Sequence, residues 1–146
     1  MKQVKKILFP IDFAENFDTL LPWVSTFVEK FGATLYVVFV TPDLSSYSSF
    51  HVPHGNIQSF QEEAVAAAKK RMATVVAENF KGFPKLESLV LMGSPAEKIL
   101  ELAKKENIDL IIMGAHGRKG LERALFGSVA DKVVTAALCP VMTVHP

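Results

Sequence analysis

The chain has a single cysteine, Cys139, in 146 residues, so no internal disulfide framework holds it and a reducing compartment suits it. It also lacks an excess of either charge. Sixteen Lys and Arg stand against 15 Asp and Glu, a net charge of +1. That balance gives no electrostatic case for nucleic acid or an anionic membrane as a partner. No apolar run approaches the roughly 20 residues of a membrane span. The opening MKQVKKILFPIDF has lysines before apolar residues but no long apolar stretch and no small-residue cleavage site, and Asp12 interrupts it. It does not read as a signal peptide. His51 and His54 share a loop with no carboxylate or cysteine beside them, so no metal site is expected there. No nucleophile–base pair and no acid–base carboxylate pair stands out, so catalysis is not the leading expectation. These absences leave a cytoplasmic globular protein.

What is present is a core. Hydrophobic residues make up 49% of the chain and charged ones 21%, enough apolar surface for one folded domain over residues 1–146. Ile7 to Ile11 reads as a short buried strand ending at Pro10-Ile11-Asp12. Phe17, Leu20, Leu21, Val24, Phe27, Val28 and Phe31 then follow helical spacing, and Gly32 sits where a helix-ending glycine belongs. Pro22 lies inside that helix, so a kink or a late start capped by Asn16 is expected. Thr34 to Thr41 is the clearest strand, apolar almost throughout. A loop rich in Ser and Pro, Pro42 to Asn56, leads to a helix from Ile57 to Asn79 with Phe60, Ala64, Ala67, Ala68, Met72, Val75 and Val76 inward.

Leu86 to Met92 is a third strand. Ser94-Pro95-Ala96-Glu97 predicts a capping box opening a third helix that runs to about Glu106, with Ile99, Leu100 and Ala103 inward. Ile108 to Met113 gives a fourth strand, Ser128 to Leu138 a fourth helix, and Val141 to Val144 a last strand. Strands alternating with helices predict an α/β fold, a doubly wound, five-stranded parallel sheet with two helices on each face and right-handed crossovers; the order taken for it is 3-2-1-4-5. Ligands of such sheets bind at the carboxyl ends of the strands, where the order reverses. The ends at Asp12, Val40-Thr41 and Gly114 should therefore line one crevice.

The stretch IDLIIMGAHGRKGLERALFGSV, Ile108 to Val129, is where that crevice acquires chemistry. A strand stops at Gly114, a loop carries Gly117 and Gly120, and Gly127-Ser128 opens a helix. Free backbone N–H groups and the positive end of a helix suit a phosphate. The spacing is neither a Walker A loop nor a dinucleotide fingerprint. Taken alone, it leaves a phosphate cradle and an ordinary strand-to-helix turn equally open. His116 and Arg118 sit in the loop as candidates to touch such a phosphate, against the commoner solvated role of such residues, while Lys119, Arg123 and Lys132 read as surface charge.

Gly114, Gly117 and Gly127-Ser128 form the pattern G-x2-G-x9-G-S, which resembles the nucleotide-binding (ATP-type) branch of the universal stress protein family. The flanks ILFPIDF, GSPAEKIL, DLIIMGAHGR, LFGSVADKVV and CPVMTV are similar to family signatures in the expected order. The resemblance implies an adenine nucleotide, ATP or alternatively ADP or AMP, with Mg held through its phosphates. Gly114, Gly117, Gly127 and Ser128 would surround the phosphates by backbone N–H groups and the Ser128 hydroxyl. Met113 and Val129 would wall the sugar and phosphates. Pro10, Ile11, Asp12 and Val40 would hold adenine and ribose, Val40 partly by backbone. It also implies a homodimer through the Val141–Val144 edge strand and a regulatory, stress-response role with a further protein partner. Ala14 departs from the family, many members of which have Ser or Thr there. The alternatives are a slow ATPase or AMP-forming enzyme, and an interaction protein that uses no nucleotide.

Overall fold

The computed structural model of the chain describes residues 1–13, 17–45, 54–115 and 127–145. Its elements run β1 (Lys6–Pro10), α1 (Phe17–Phe31), β2 (Thr34–Thr41), α2 (His54–Asn79), β3 (Leu86–Met92), α3 (Pro95–Lys105), β4 (Leu110–Gly114), α4 (Ser128–Ala136) and β5 (Val141–Val144). The sheet order is β3-β2-β1-β4-β5 and every neighbouring pair is parallel. This is the expected order. β1 is central, and its Ile7, Leu8 and Phe9 are fully buried, as a strand covered on both faces requires. Its register is pinned at the amino end, where the Asp109 carboxylate accepts from the Lys5 and Lys6 backbone N–H groups at 2.8 and 3.0 Å.

Side chains alternate across the pleat and so divide into two cores. Ile7, Phe9, Leu35, Val37, Leu110 and Ile112 meet Leu20, Val24 and Val28 of α1 and Met72 and Val75 of α2. Leu8, Val38, Ile111 and Met113 meet Ala96, Ile99 and Leu102 of α3 and Ala130 and Val133 of α4. Two helices therefore cover each face. The chain reverses sharply after α1 and α3. Gly32 (φ 60°) and Asn107 (φ 54°) take the left-handed conformation. Ala33 N–H then donates to Val28 C=O at 3.1 Å, and Ile108 N–H to Ala103 C=O at 2.9 Å. Both close the helix end in a Schellman arrangement.

Several local expectations need correction. α1 begins at Phe17, the residue after Asn16, and continues through Pro22, which lies inside it. The Thr26 hydroxyl donates to the Pro22 carbonyl at 2.8 Å. Asn16 and Ala14 lie outside the described residues. α2 begins at His54, inside the expected loop. Phe60 is 59% exposed and Ala67 is also exposed. The helical period is phased by Ile57, Ala68, Met72 and Val75, which leaves Phe60 and Ala67 on a flank. Ser94 occupies the N-cap of α3, but its side chain makes no cap hydrogen bond. Pro95 stands at the first helical position, where a missing N–H costs the helix nothing. Leu102, unmarked by the sequence pattern, is buried in α3, and α4 ends at Ala136 before the expected Leu138.

Candidate functional site

β1 ends at Pro10, whereas β2 on one side continues to Thr41 and β4 on the other reaches Gly114. The central strand stops first, which leaves a crevice above its carboxyl end. A cavity of about 390 Å³ opens there, within the roughly 300–1,000 Å³ typical of small-molecule sites. Pro10, Ile11, Asp12, Val40, Met113, Gly114, Gly127, Ser128 and Val129 all line it. These are nine of the twelve residues the sequence marks. The other three, His116, Gly117 and Arg118, lie outside the described residues. The nine come from four separated segments: the ends of β1, β2 and β4, and the start of α4.

One part of the wall offers a donor and an acceptor side by side. Ile11 N–H donates to Val38 C=O at 2.8 Å, so Val38 turns its backbone groups toward β1. Gly93 N–H donates to Thr41 C=O at 2.8 Å, so Thr41 turns toward β3. Val40 has the phase of Val38, and its N–H and C=O point toward β1 at a level where β1 has ended. They face the cavity instead of a neighbouring strand. Around them the wall is apolar, and three prolines, Pro10, Pro42 and Pro95, contribute no N–H.

The opposite end is the start of α4. Gly127 is its N-cap, in extended conformation, and its N–H donates to Ala115 C=O. That bond ties α4 to the end of β4, where Ala115 N–H in turn donates to Val144 C=O at 2.9 Å. Gly127 therefore shapes the wall but does not supply a free donor, contrary to the expectation for its N–H. The first intrahelical bond joins Asp131 N–H to Gly127 C=O at 2.9 Å. The N–H groups of Ser128, Val129 and Ala130 precede it and carry the positive end of the helix dipole. Ser128 is the first helical residue, not the cap, and its exposed side chain lines the cavity.

Behind Asp12 the chain is held by a bracket from α2. The Arg71 guanidinium donates to the Phe13 carbonyl at 3.3 Å and lies 4.9 Å from the centre of the Phe13 ring. Phe13 stacks on Phe39, a cavity-lining residue, with ring centres 4.1 Å apart. The sequence pattern marked neither Arg71 nor the wall residues Pro42 and Pro95. Pro42 immediately follows the carboxyl end of β2 and Pro95 opens the helix that follows β3, positions at the ligand-binding pole of the sheet that would have placed them here.

Among the described residues no group of three or more His, Cys, Asp or Glu is placed to hold a metal. Cys139 is half-buried against the α3/α4 core rather than fully inside it, and does not line this cavity. Burial, then the nearby Asp109 charge, raises its thiol pKa.

The family model described as the universal stress protein family matches residues 3–145. Universal stress protein MJ0531 of Methanocaldococcus jannaschii is 33% identical over 146 residues, spanning 96% of this chain and 81% of that protein. The solved structure of protein MJ0577 from the same organism is 29% identical with a TM-score of 0.82, covering 99% of this chain and 98% of that one. A universal stress protein from Archaeoglobus fulgidus, solved in complex with dAMP, shares the fold with a TM-score of 0.68 at 20% identity, covering 96% and 97% of the two chains.

Proposed function

The chain belongs to the universal stress protein family, and we propose that it is an adenine-nucleotide-binding regulatory module that takes ATP in the cavity at the ends of β1, β2 and β4. The observation that carries this is the convergence of nine residues from four separated segments on one cavity. Its two ends differ in the way a nucleotide does. The Val40 N–H and C=O suit the N1 and N6 edge of adenine, and the apolar wall suits the faces of the base. At the other end, the N–H groups of Ser128, Val129 and Ala130 and the Ser128 hydroxyl suit phosphate oxygens. Asp12, between them, suits the ribose hydroxyls. The dAMP held by the Archaeoglobus fulgidus protein of the same fold carries the same base.

In this reading His116, Gly117 and Arg118 complete the phosphate side, and Mg is held through the phosphates. Gly114 belongs to the wall of that side, where the lack of a side chain suits close approach of a phosphate. Occupancy, not turnover, is the signal. It is read by a partner protein in the cytoplasm and by a homodimer formed through β5, an edge strand of the sheet. The test is a calorimetric titration of the nucleotide-stripped protein with ATP, ADP and AMP, with and without Mg. Saturable ATP binding that Mg strengthens is expected. Absence of heat with all three, under every condition, would overturn the proposal.

A further inference from the structure

β5 is four residues long. A strand edge of that length falls well short of the roughly 800 Å² per partner of a stable interface. The β5 homodimer proposed above, on which this inference rests, therefore needs more apolar surface beside that edge. α1 carries it. Leu20, Val24 and Val28 face the sheet. The Phe17 ring meets Phe80, which follows α2, with centres 6.3 Å apart, so the flank of α1 bearing Phe17 and Leu21 is turned toward α2. At 3.6 residues per turn, Trp23 and Phe27 fall on the opposite flank. That flank is turned toward β4 and β5. Trp23, Phe27 and Phe31 follow one another at spacings of four, a stripe that drifts from that flank at Trp23, past Phe27 at the margin of the α1/α2 core, to the sheet side at Phe31 near the end of the helix. The Phe27 and Phe31 rings lie 6.0 Å apart. Trp23 is 51% exposed and Phe31 47%, unusual for aromatics of this size.

We propose that the Trp23–Phe27–Phe31 stripe docks on the same flank of a second copy of this chain, across the β5 edge. Antiparallel pairing of two β5 strands sets the two-fold axis normal to the sheet, so both α1 helices land on one face. β4 and its mate are then three strand spacings apart, about 14 Å. Helices in direct contact lie about 8–10 Å apart. Small side chains on these flanks would leave an apolar trough above Met142, which already packs against the α1/α2 core. Long aromatic ones close it.

Trp23 is the only tryptophan in the chain, so its emission reports this contact directly. Sedimentation equilibrium and tryptophan emission are followed together over a dilution series. Trp23→Lys and Thr143→Lys are compared with wild type by sedimentation, with circular dichroism confirming that each variant is folded. The expected result is a wild-type dimer whose emission moves to longer wavelength as it dissociates. Trp23→Lys should weaken the dimer by about ten-fold or more, a hot-spot-sized effect, and Thr143→Lys should break it through the strand edge. If Thr143→Lys breaks the dimer, yet Trp23→Lys dimerises like wild type and wild-type emission ignores dilution, the stripe is outside the interface and only this inference falls. A wild type that stays monomeric throughout, or a dimer that survives Thr143→Lys, overturns the β5 dimer and the stripe with it. A wild-type monomer that binds ATP leaves the nucleotide reading standing.

Discussion

The two faces of the sheet are built from different residues. The α1/α2 core gathers Phe9 and Phe80, with Phe13, Phe17, Phe27, Phe39 and Phe83 packed against it: seven of the chain's eleven phenylalanines. The α3/α4 core has none among its described members, and small residues such as Ala96, Ala103, Ala130 and Ala137 stand between its helices and the sheet. Bulk on one face fills space and holds the strands. Small side chains on the other let helices approach closely and bring their amino ends to the strand termini. The cavity leans toward the small-residue side: Val38, Val40, Met113, Val129 and Ala130 of its wall belong to the α3/α4 face, against Ile11 and Phe39 of the aromatic one. The aromatic face should thus govern stability and the small-residue face binding.

The sharpest way to break this division is Phe9→Ala. Phe9 is fully buried, with its ring centre 6.5 Å from Phe17 and 6.2 Å from Phe80. Truncation leaves a cavity in the middle of the aromatic core and should cost about 3–5 kcal/mol. Urea unfolding should show this as a lower midpoint with an unchanged slope. The folded fraction should still bind ATP within a few-fold of wild type, because Phe9 does not line the site. Loss of affinity comparable to the loss of stability would mean that the two faces are not separable.

Ala130→Leu is the opposite experiment. Ala130 is 2% exposed, packs in the α3/α4 core and lines the cavity. Overpacking should cost about 1–3 kcal/mol, less than Phe9→Ala. It should nevertheless abolish measurable nucleotide binding in calorimetry, since the added carbons enter the cavity or push α4 away from β4. A variant that is destabilised yet binds normally would place the nucleotide elsewhere.

The same contrast explains what the sequence revealed. Apolar, β-branched runs bounded by Gly, Pro or Asn mark a strand whether it is central or at an edge, so β2, β3 and β5 fall at the expected residues although β3 and β5 are edge strands with little full burial, and the alternation of elements was enough for a parallel sheet covered on both faces. The crevice was legible because the ends of β1, β2 and β4 are marked by Asp12, Thr41 and Gly114, all at the same pole. The misses are cases where a local pattern underdetermines direction. Phe60 looks like a core residue by type, but the phase of α2 is set by Ile57 and Met72. Ser94 has the residue type of a cap without making its bond. The Gly127 N–H turned out to be committed to Ala115, a contact across elements that no local spacing reveals. Pro42 and Pro95 belong to the cavity wall only because the two strand ends they follow lie beside it in space.

A smaller effect sharpens the boundary between the faces. Arg71 and Phe13 belong to the aromatic side yet stand directly behind Asp12. An exposed cation–π contact contributes about 0.5–1 kcal/mol, so Arg71→Ala should change stability little. If the bracket sets the position of Asp12, nucleotide affinity should fall by about two- to five-fold, and Arg71→Lys should recover only part of it, because an ammonium lacks the planar fork. Equal affinities in all three proteins would confine the aromatic face to stability alone.

The smallest expected effect lies at the far pole of the small-residue face. Cys139 packs there, and burial followed by the Asp109 charge raises its thiol pKa above the usual range. The folded state then holds its proton at a pH where the unfolded chain has begun to release it. The sign follows: between the unfolded and folded thiol pKa values the native protein binds more protons, so stability should decline as pH rises through that window. Below the window the thiol has no effect on the pH dependence. At mildly alkaline pH, Cys139 should therefore react with a disulfide reagent more slowly than a free thiol, both because less thiolate is present and because access is limited. Denaturant should remove the difference, and saturating ATP should leave it unchanged, because the cavity and Cys139 are at opposite ends of the strands. A thiol whose reactivity followed nucleotide occupancy would show that this face transmits binding along its whole length, which is more than close packing at one pole requires.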